Sequence, residues 1–99
     1  MIDVDTDEIK TAVQRMHNCT ARLVQSVPVR EQFVRQTVWE GVVHVFELTG
    51  HPKARQAYAW SSPIEGSDKR RFFVVLHLPP IASPVDAVRA AIVAEQKSK

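Results

Sequence analysis

Residues 38–62, VWEGVVHVFELTGHPKARQAYAWSS, decide the fold: they hold both tryptophans, the only tyrosine and two of the four histidines around a Gly50-His51-Pro52 break. From Thr37 to Leu48 apolar residues fill both alternating sets, with Val38, Val42, Phe46 and Leu48 on one and Trp39, Val43 and Val45 on the other. Successive side chains of a strand point to opposite faces, so such a strand needs cover on both sides. Glycine and proline end it. Gln56 to Ser62 then resumes an extended pattern, with Tyr58 and Trp60 opposite Ala57 and Ala59. The small alanines suit the close approach of another layer.

Upstream, Cys19, Ala21, Leu23, Val27, Val29 and Phe33 alternate with Thr20, Arg22, Ser26, Pro28 and Arg30, the pattern of a half-buried strand. Pro28 has no N–H for the ladder, which places this strand at a sheet edge or at a bulge. A helical turn over residues 29–36 is the alternative. Before it, Asp5-Thr6-Asp7-Glu8 offers an acidic N-cap, and Ile9, Ala12, Val13 and Met16 recur at helical spacing, predicting a helix over residues 6–17 that ends at His17-Asn18.

Downstream, Pro63 to Asp68 is turn chemistry, leading through Lys69-Arg70-Arg71 into the apolar strand Phe72 to Leu78. Pro79-Pro80 stops it. Ser83-Pro84-Val85-Asp86 supplies an N-cap, a proline at the first helical position and an acid in the first turn. The helix that follows has the stripe Val85, Val88, Ala91 and Ile92 and an outer face of Arg89, Glu95 and Gln96.

These elements predict a single α+β domain, a four-stranded antiparallel sheet with an N-terminal and a C-terminal helix packed as a two-layer sandwich. Residues 1–18 form an acidic helix or extension, 19–80 the sheet and 83–97 the last helix. With both helices on one face, the other face presents Trp39, Val43, Val45 and Tyr58 or Trp60, and a homodimer on that face or on an edge strand is expected. In the alternative, the first helix covers that face in a monomer.

Composition narrows the classes. The 99 residues, 44% apolar and 24% charged, are those of an ordinary globular domain. No apolar run approaches the about 18 residues of a membrane span, and the acidic start lacks the basic and apolar regions of a signal peptide, so a cytoplasmic location is expected. Cys19 is alone, which excludes an intrachain disulfide and a cysteine zinc cluster. Residues 11–99 hold 12 basic and 7 acidic side chains, a mild excess that a solvated surface accounts for.

No reaction is legible. His44 falls on the face of Val42 and Phe46 and His77 on that of Phe73 and Val75; in a curved sheet they could meet near Cys19 or Glu40, but the spacing matches no ligand motif, so hydrogen-bonded structural histidines are expected and no metal or cofactor. Glu40 and Glu47 sit on opposite faces and form no carboxylate pair. Cys19 points with the apolar set, and Ser61-Ser62 lacks a nucleophile elbow. Three glycines, at 41, 50 and 66, cannot write a phosphate loop. The reading therefore leans against an enzyme and assigns no catalytic residue.

Val27-Pro28-Val29, Val38-Trp39-Glu40-Gly41-Val42-Val43, Gly50-His51-Pro52, Tyr58-Ala59-Trp60 and Ala87-Val88-Arg89-Ala90-Ala91-Ile92 together resemble small uncharacterised bacterial proteins of the integron gene-cassette (mobile metagenome) type. The resemblance covers about residues 19–95, implies a bacterial, mobile-element origin and carries no activity. Two function classes stand. The first is a non-enzymatic dimeric interaction or small-ligand-binding protein, with Trp39, Tyr58 and Trp60 lining a pocket edged by His51, Lys53 and Arg55. The alternative is a nucleic-acid-associated accessory protein that sets Lys53, Arg55, Lys69, Arg70 and Arg71 on phosphates.

Overall fold

The computed structural model describes residues 6–33, 36–64 and 66–97; the side chains of 33, 36–38 and 95–97 lie outside that description, as do the expectations placed on Asp5, Phe33, Val38, Glu95 and Gln96. The elements run α1 (Thr6–His17), β1 (Thr20–Phe33), β2 (Gln36–Thr49), β3 (Gln56–Pro63), β4 (Arg70–Leu76) and α2 (Pro84–Lys97). This is the expected order, and β1 stays a strand through Phe33 where a helical turn was the alternative.

Local chemistry fixes the helix ends. Asn18 takes a left-handed conformation (φ 50°), so the Cys19 N–H turns back to donate to the Gln14 carbonyl at 3.4 Å. The Gln14 side chain accepts from the Ala21 N–H at 3.0 Å, tying α1 to the start of β1. At the other end of the chain the Asp86 N–H donates to Ser83 Oγ at 3.2 Å, and Asp86 Oδ2 accepts from the Ala82 N–H at 3.0 Å. Ser83 is thus the N-cap of α2, with Pro84 as its first helical residue.

The sheet is an antiparallel meander in the order β1-β2-β3-β4, and Pro28 lies on an edge strand as its missing donor requires. Leu23 opposes Phe46 and Gln25 opposes Val45, which leaves Val24 as a one-residue bulge. The extra residue inverts the alternation. Ala21 belongs to the cluster of Phe46 and Leu48, whereas Val27 and Val29 belong to that of Val43 and Val45, so the single apolar face expected for β1 is divided between both sides of the sheet.

Pairing along the meander is uneven. β1 and β2 pair over almost their whole length, as do β3 and β4, but β2 and β3 pair only from Glu47↔Gln56 to His44↔Ala59. Past that point, among the described residues, two-stranded ribbons run on with no ladder between them. The sheet is therefore forked, closed at the β2–β3 loop and open at the other end.

The helices take opposite faces. Ile9 and Val13 of α1 pack on Ala21, Phe46, Leu48, Ala57 and Ala59, while Ala87 and Val88 of α2 pack on Val29, Val43, Val45, Tyr58 and Trp60. The α+β architecture of one four-stranded antiparallel sheet and two terminal helices is as expected, but its layers number three, helix–sheet–helix, and not two. The two-sided apolar pattern of β2 and β3 is the physical reason. The face expected to be open for a second copy is covered by α2, leaving Val43 0% and Trp60 2% exposed. No helix among the described residues is long and apolar enough to cross a membrane, and the 13.4 Å radius of gyration is that of a compact chain of this length.

Candidate functional site

The fork organises the aromatic residues. Trp39 from β2 and Trp60 from β3 meet across it edge to face, with ring centroids 5.7 Å apart and planes at 66°. Trp60 in turn stacks on its cross-strand partner Phe73, at 5.3 Å and 11°. Arg71 shares the face of Phe73, two residues back along β4, and its guanidinium carbon stands 4.9 Å from the centre of that ring. The Trp39 indole lies over Gly41, where an added Cβ would come within 3.0 Å of the ring. Glycine at 41 is thus a matter of space: it lets the indole lie close to its own strand.

Between these rings and α2 opens a recess of about 380 Å³, with Val88, Ala91 and Ile92 as its helical wall and Ser62 and Arg71 at its polar side. The only charged side chain lining it, among the described residues, is Arg71. Flat rings on an otherwise aliphatic wall accept a planar apolar body, and the guanidinium and hydroxyl supply orientation.

A second recess, about 480 Å³, lies on the opposite side of the fork beside the N-terminal end of α1, where Thr6 and Ile9 line it together with paired polar groups. Ser26 Oγ and His44 Nδ1 share a hydrogen bond at 2.8 Å. Arg30 donates from Nε and Nη2 to Glu40 Oε2 at 3.0 and 2.9 Å, and Arg70 Nε donates to Ser61 Oγ at 2.8 Å. The Ser26–His44 separation is that of a nucleophile and its base. The pair is exposed on the outer ribbon, however, where nothing excludes water from a reacting group.

The other residues singled out in the sequence do not converge on the aromatic recess. Tyr58 shares the face of Trp60 but is buried under α2, with its hydroxyl 2.5 Å from His77 Nδ1. Burial, and after it the nearby Asp86 carboxylate, push the phenol above its ordinary value, and its hydroxyl shares a hydrogen bond with the His77 ring. His51, Lys53 and Arg55 occupy the β2–β3 loop at the closed end of the fork. His51 Nδ1 accepts from the Lys53 N–H at 3.1 Å and the Ala54 N–H at 2.9 Å, which gives this histidine a loop-forming role. Trp39 is eight residues along β2 from Glu47, which pairs beside that loop, a run of about 26 Å at the rise of a strand.

The basic residues separate in the same way. Lys53 and Arg55 are at the closed end, Lys69 to Arg71 at the open end, and alternation sends Arg70 to Ser61 on one face and Arg71 to Phe73 on the other. His44 and His77 also fall on opposite faces, bonded to Ser26 and Tyr58, so they do not meet. No group of His, Cys, Asp and Glu among the described residues has the arrangement of a metal site. Glu40 and Glu47 pair with Arg30 and Arg22 on opposite faces, as the alternation requires.

Sequence reasoning missed Phe73, Ser62, Val88 and Ile92 as recess residues. Phe73 was reachable in principle, since a tight hairpin after Pro63 places it opposite Trp60; the α2 wall carries no local signal. Comparison with protein-family models, with curated proteins and with solved structures finds no match for this chain.

Proposed function

We propose that the chain is a non-enzymatic binding protein for a small, flat, largely apolar molecule, taken up where the sheet forks beneath α2. The observation that carries this reading is the convergence of Trp39, Trp60 and Phe73 on an open recess of about 380 Å³. That volume falls within the range of about 300–1,000 Å³ typical of small-molecule sites. The setting supports it, because beside the helix that covers this face Trp39 and Phe73 stay half-buried next to the buried Trp60. Both covered faces, together with a β1 edge interrupted by Pro28 and the Val24 bulge, support a single chain as the binding unit.

The test uses the protein's own reporters. Both tryptophans of the chain line the recess. Titration with naphthalene-sized aromatic molecules is expected to change tryptophan emission and raise the melting temperature together. A panel at saturating excess that moves neither quantity overturns the reading.

A further inference from the structure

We infer that the outer edge of β4 is a pairing surface, and that its occupant is β4 of a second copy of this chain, joined antiparallel into one continuous sheet. This goes beyond the binding reading, in which each chain is a binding unit whether single or paired. The two edges of the sheet are built differently. β1 carries Pro28 and the Val24 bulge, devices that stop a further strand from adding, whereas the seven residues of β4 include no proline, follow β3 without a register shift and hold no charge from Phe72 to Leu76. The Ile64 N–H donates to the Lys69 carbonyl and the His77 N–H to the Gln56 carbonyl, which makes the odd-numbered residues of β4 the ones bonded to β3. The N–H and C=O groups of Phe72 and Val74 and the N–H of Leu76 therefore point away from the sheet, of which β4 is the last strand.

Sequence and charge favour a second copy as the added strand. A two-fold axis at Val74 sets Val74 against itself and Phe72 against Leu76 of the second copy, so the paired residues are apolar while the two Lys69-Arg70-Arg71 segments lie at opposite ends. Phe72, Val74 and Leu76 all belong to the α1 side, so the α1 helices of both copies fall on the same face of the joined sheet. On that side Glu8, Ala12, Arg15 and Met16 of α1 border, with Phe72, a groove of about 490 Å³. This helical stripe has an acid at its N-terminal end, a small residue at its middle and a base at its C-terminal end. Around the two-fold axis two such stripes face each other antiparallel, with Glu8 of each opposite Arg15 of the other. Neither residue has an ion-pair partner within the chain, among the described residues.

Analytical ultracentrifugation of the full chain tests the pairing. The wild type is expected to be dimeric at about 1 mM and to dissociate on dilution into the micromolar range, as suits an interface of one strand and one helical stripe. Val74→Pro removes an outward N–H while leaving the β3 ladder its donors, and it is expected to abolish the dimer. Glu8→Arg and Arg15→Glu are each expected to weaken the dimer about 10-fold, and the double reversal to restore it, since the opposed charges are then exchanged and not lost. Amide hydrogen exchange at Phe72 and Val74 is expected to slow as chain concentration rises, a measurement on the wild type that stands even if the proline variant does not fold. A wild type that stays monomeric at about 1 mM leaves the edge to a strand of another protein or to none, and overturns the inference. Exchange at those amides that ignores concentration, a dimer that folded Val74→Pro leaves intact, or a double reversal no tighter than the single ones also overturns it.

Discussion

The two faces of the sheet are packed on different plans. Under α1 the sheet offers Ala57 and Ala59, both fully buried, and the helix sits directly on them. Under α2 the same strand offers Tyr58 and Trp60, whose rings pack with Ala87 and Val88 of the helix, and a recess opens beside Trp60 at the forked end. One strand, by alternating small and large residues, thus builds a core of small side chains under α1 and an aromatic one under α2, each bordered by a recess at the forked end. The second side is set apart by the three aromatic rings that line its recess.

Substitutions that act on one face at a time break or sharpen this contrast. The largest expected effect is Phe46→Ala, which empties the centre of the core under α1 and is expected to cost about 3–5 kcal/mol in chemical denaturation, since the fully buried surroundings of this ring collapse only in part into the cavity. Added bulk gives the complementary test. Ala59→Leu forces α1 outward and is expected to lower stability by about 1–3 kcal/mol. Ala91→Leu adds the same atoms to the wall of the recess; it is expected to cost less than Ala59→Leu and to block the emission change that aromatic probes produce. Equal costs for the two leucines would show that both faces are equally full.

Anchoring of α2 is next in size. Ser83→Ala removes the acceptor for the Asp86 N–H, with an expected loss of about 1 kcal/mol by the same denaturation measurement. The smallest effect concerns α1 and pH. Burial first, and then the neighbouring His51, hold the His17 imidazole below its ordinary value of 6.5. The unfolded chain consequently takes up the proton more readily than the folded one, so this contribution is complete above 6.5 and declines as pH falls below it. Denaturation midpoints between about pH 7.5 and pH 5 are expected to decline less in His17→Gln than in the wild type.

Much of the fold was legible because its signals are local. Ser83-Pro84 and His17-Asn18 mark helix ends through chemistry contained in a few residues, and Pro28 marks an edge by a donor it lacks. Layer assignment was legible in part: the two-sided apolar pattern of β2 and β3 already demanded cover on both faces, and two helices were at hand to give it. The bulge was hidden, since Leu23 and Val27 look in phase unless the alternation slips between them. For the site, Trp39 and Trp60 were visible as rare residues. Their separation from His51, Lys53 and Arg55 was not, because adjacency in the chain around a loop says nothing about the opposite end of two long strands.

Val24 gives β1 an uncommon tolerance in length. In an unbulged strand one residue shorter at that point, Ala21 and Leu23 would still face α1 and Val27 and Val29 would still face α2, because the slip and the deletion cancel. A deletion between Val27 and Val29 has no such compensation and turns one of the two cores out to water. The chain can therefore lose a residue at Val24 without exchanging inside for outside, and what it would forfeit is the added local twist that a bulge imparts to the β1–β2 ribbon.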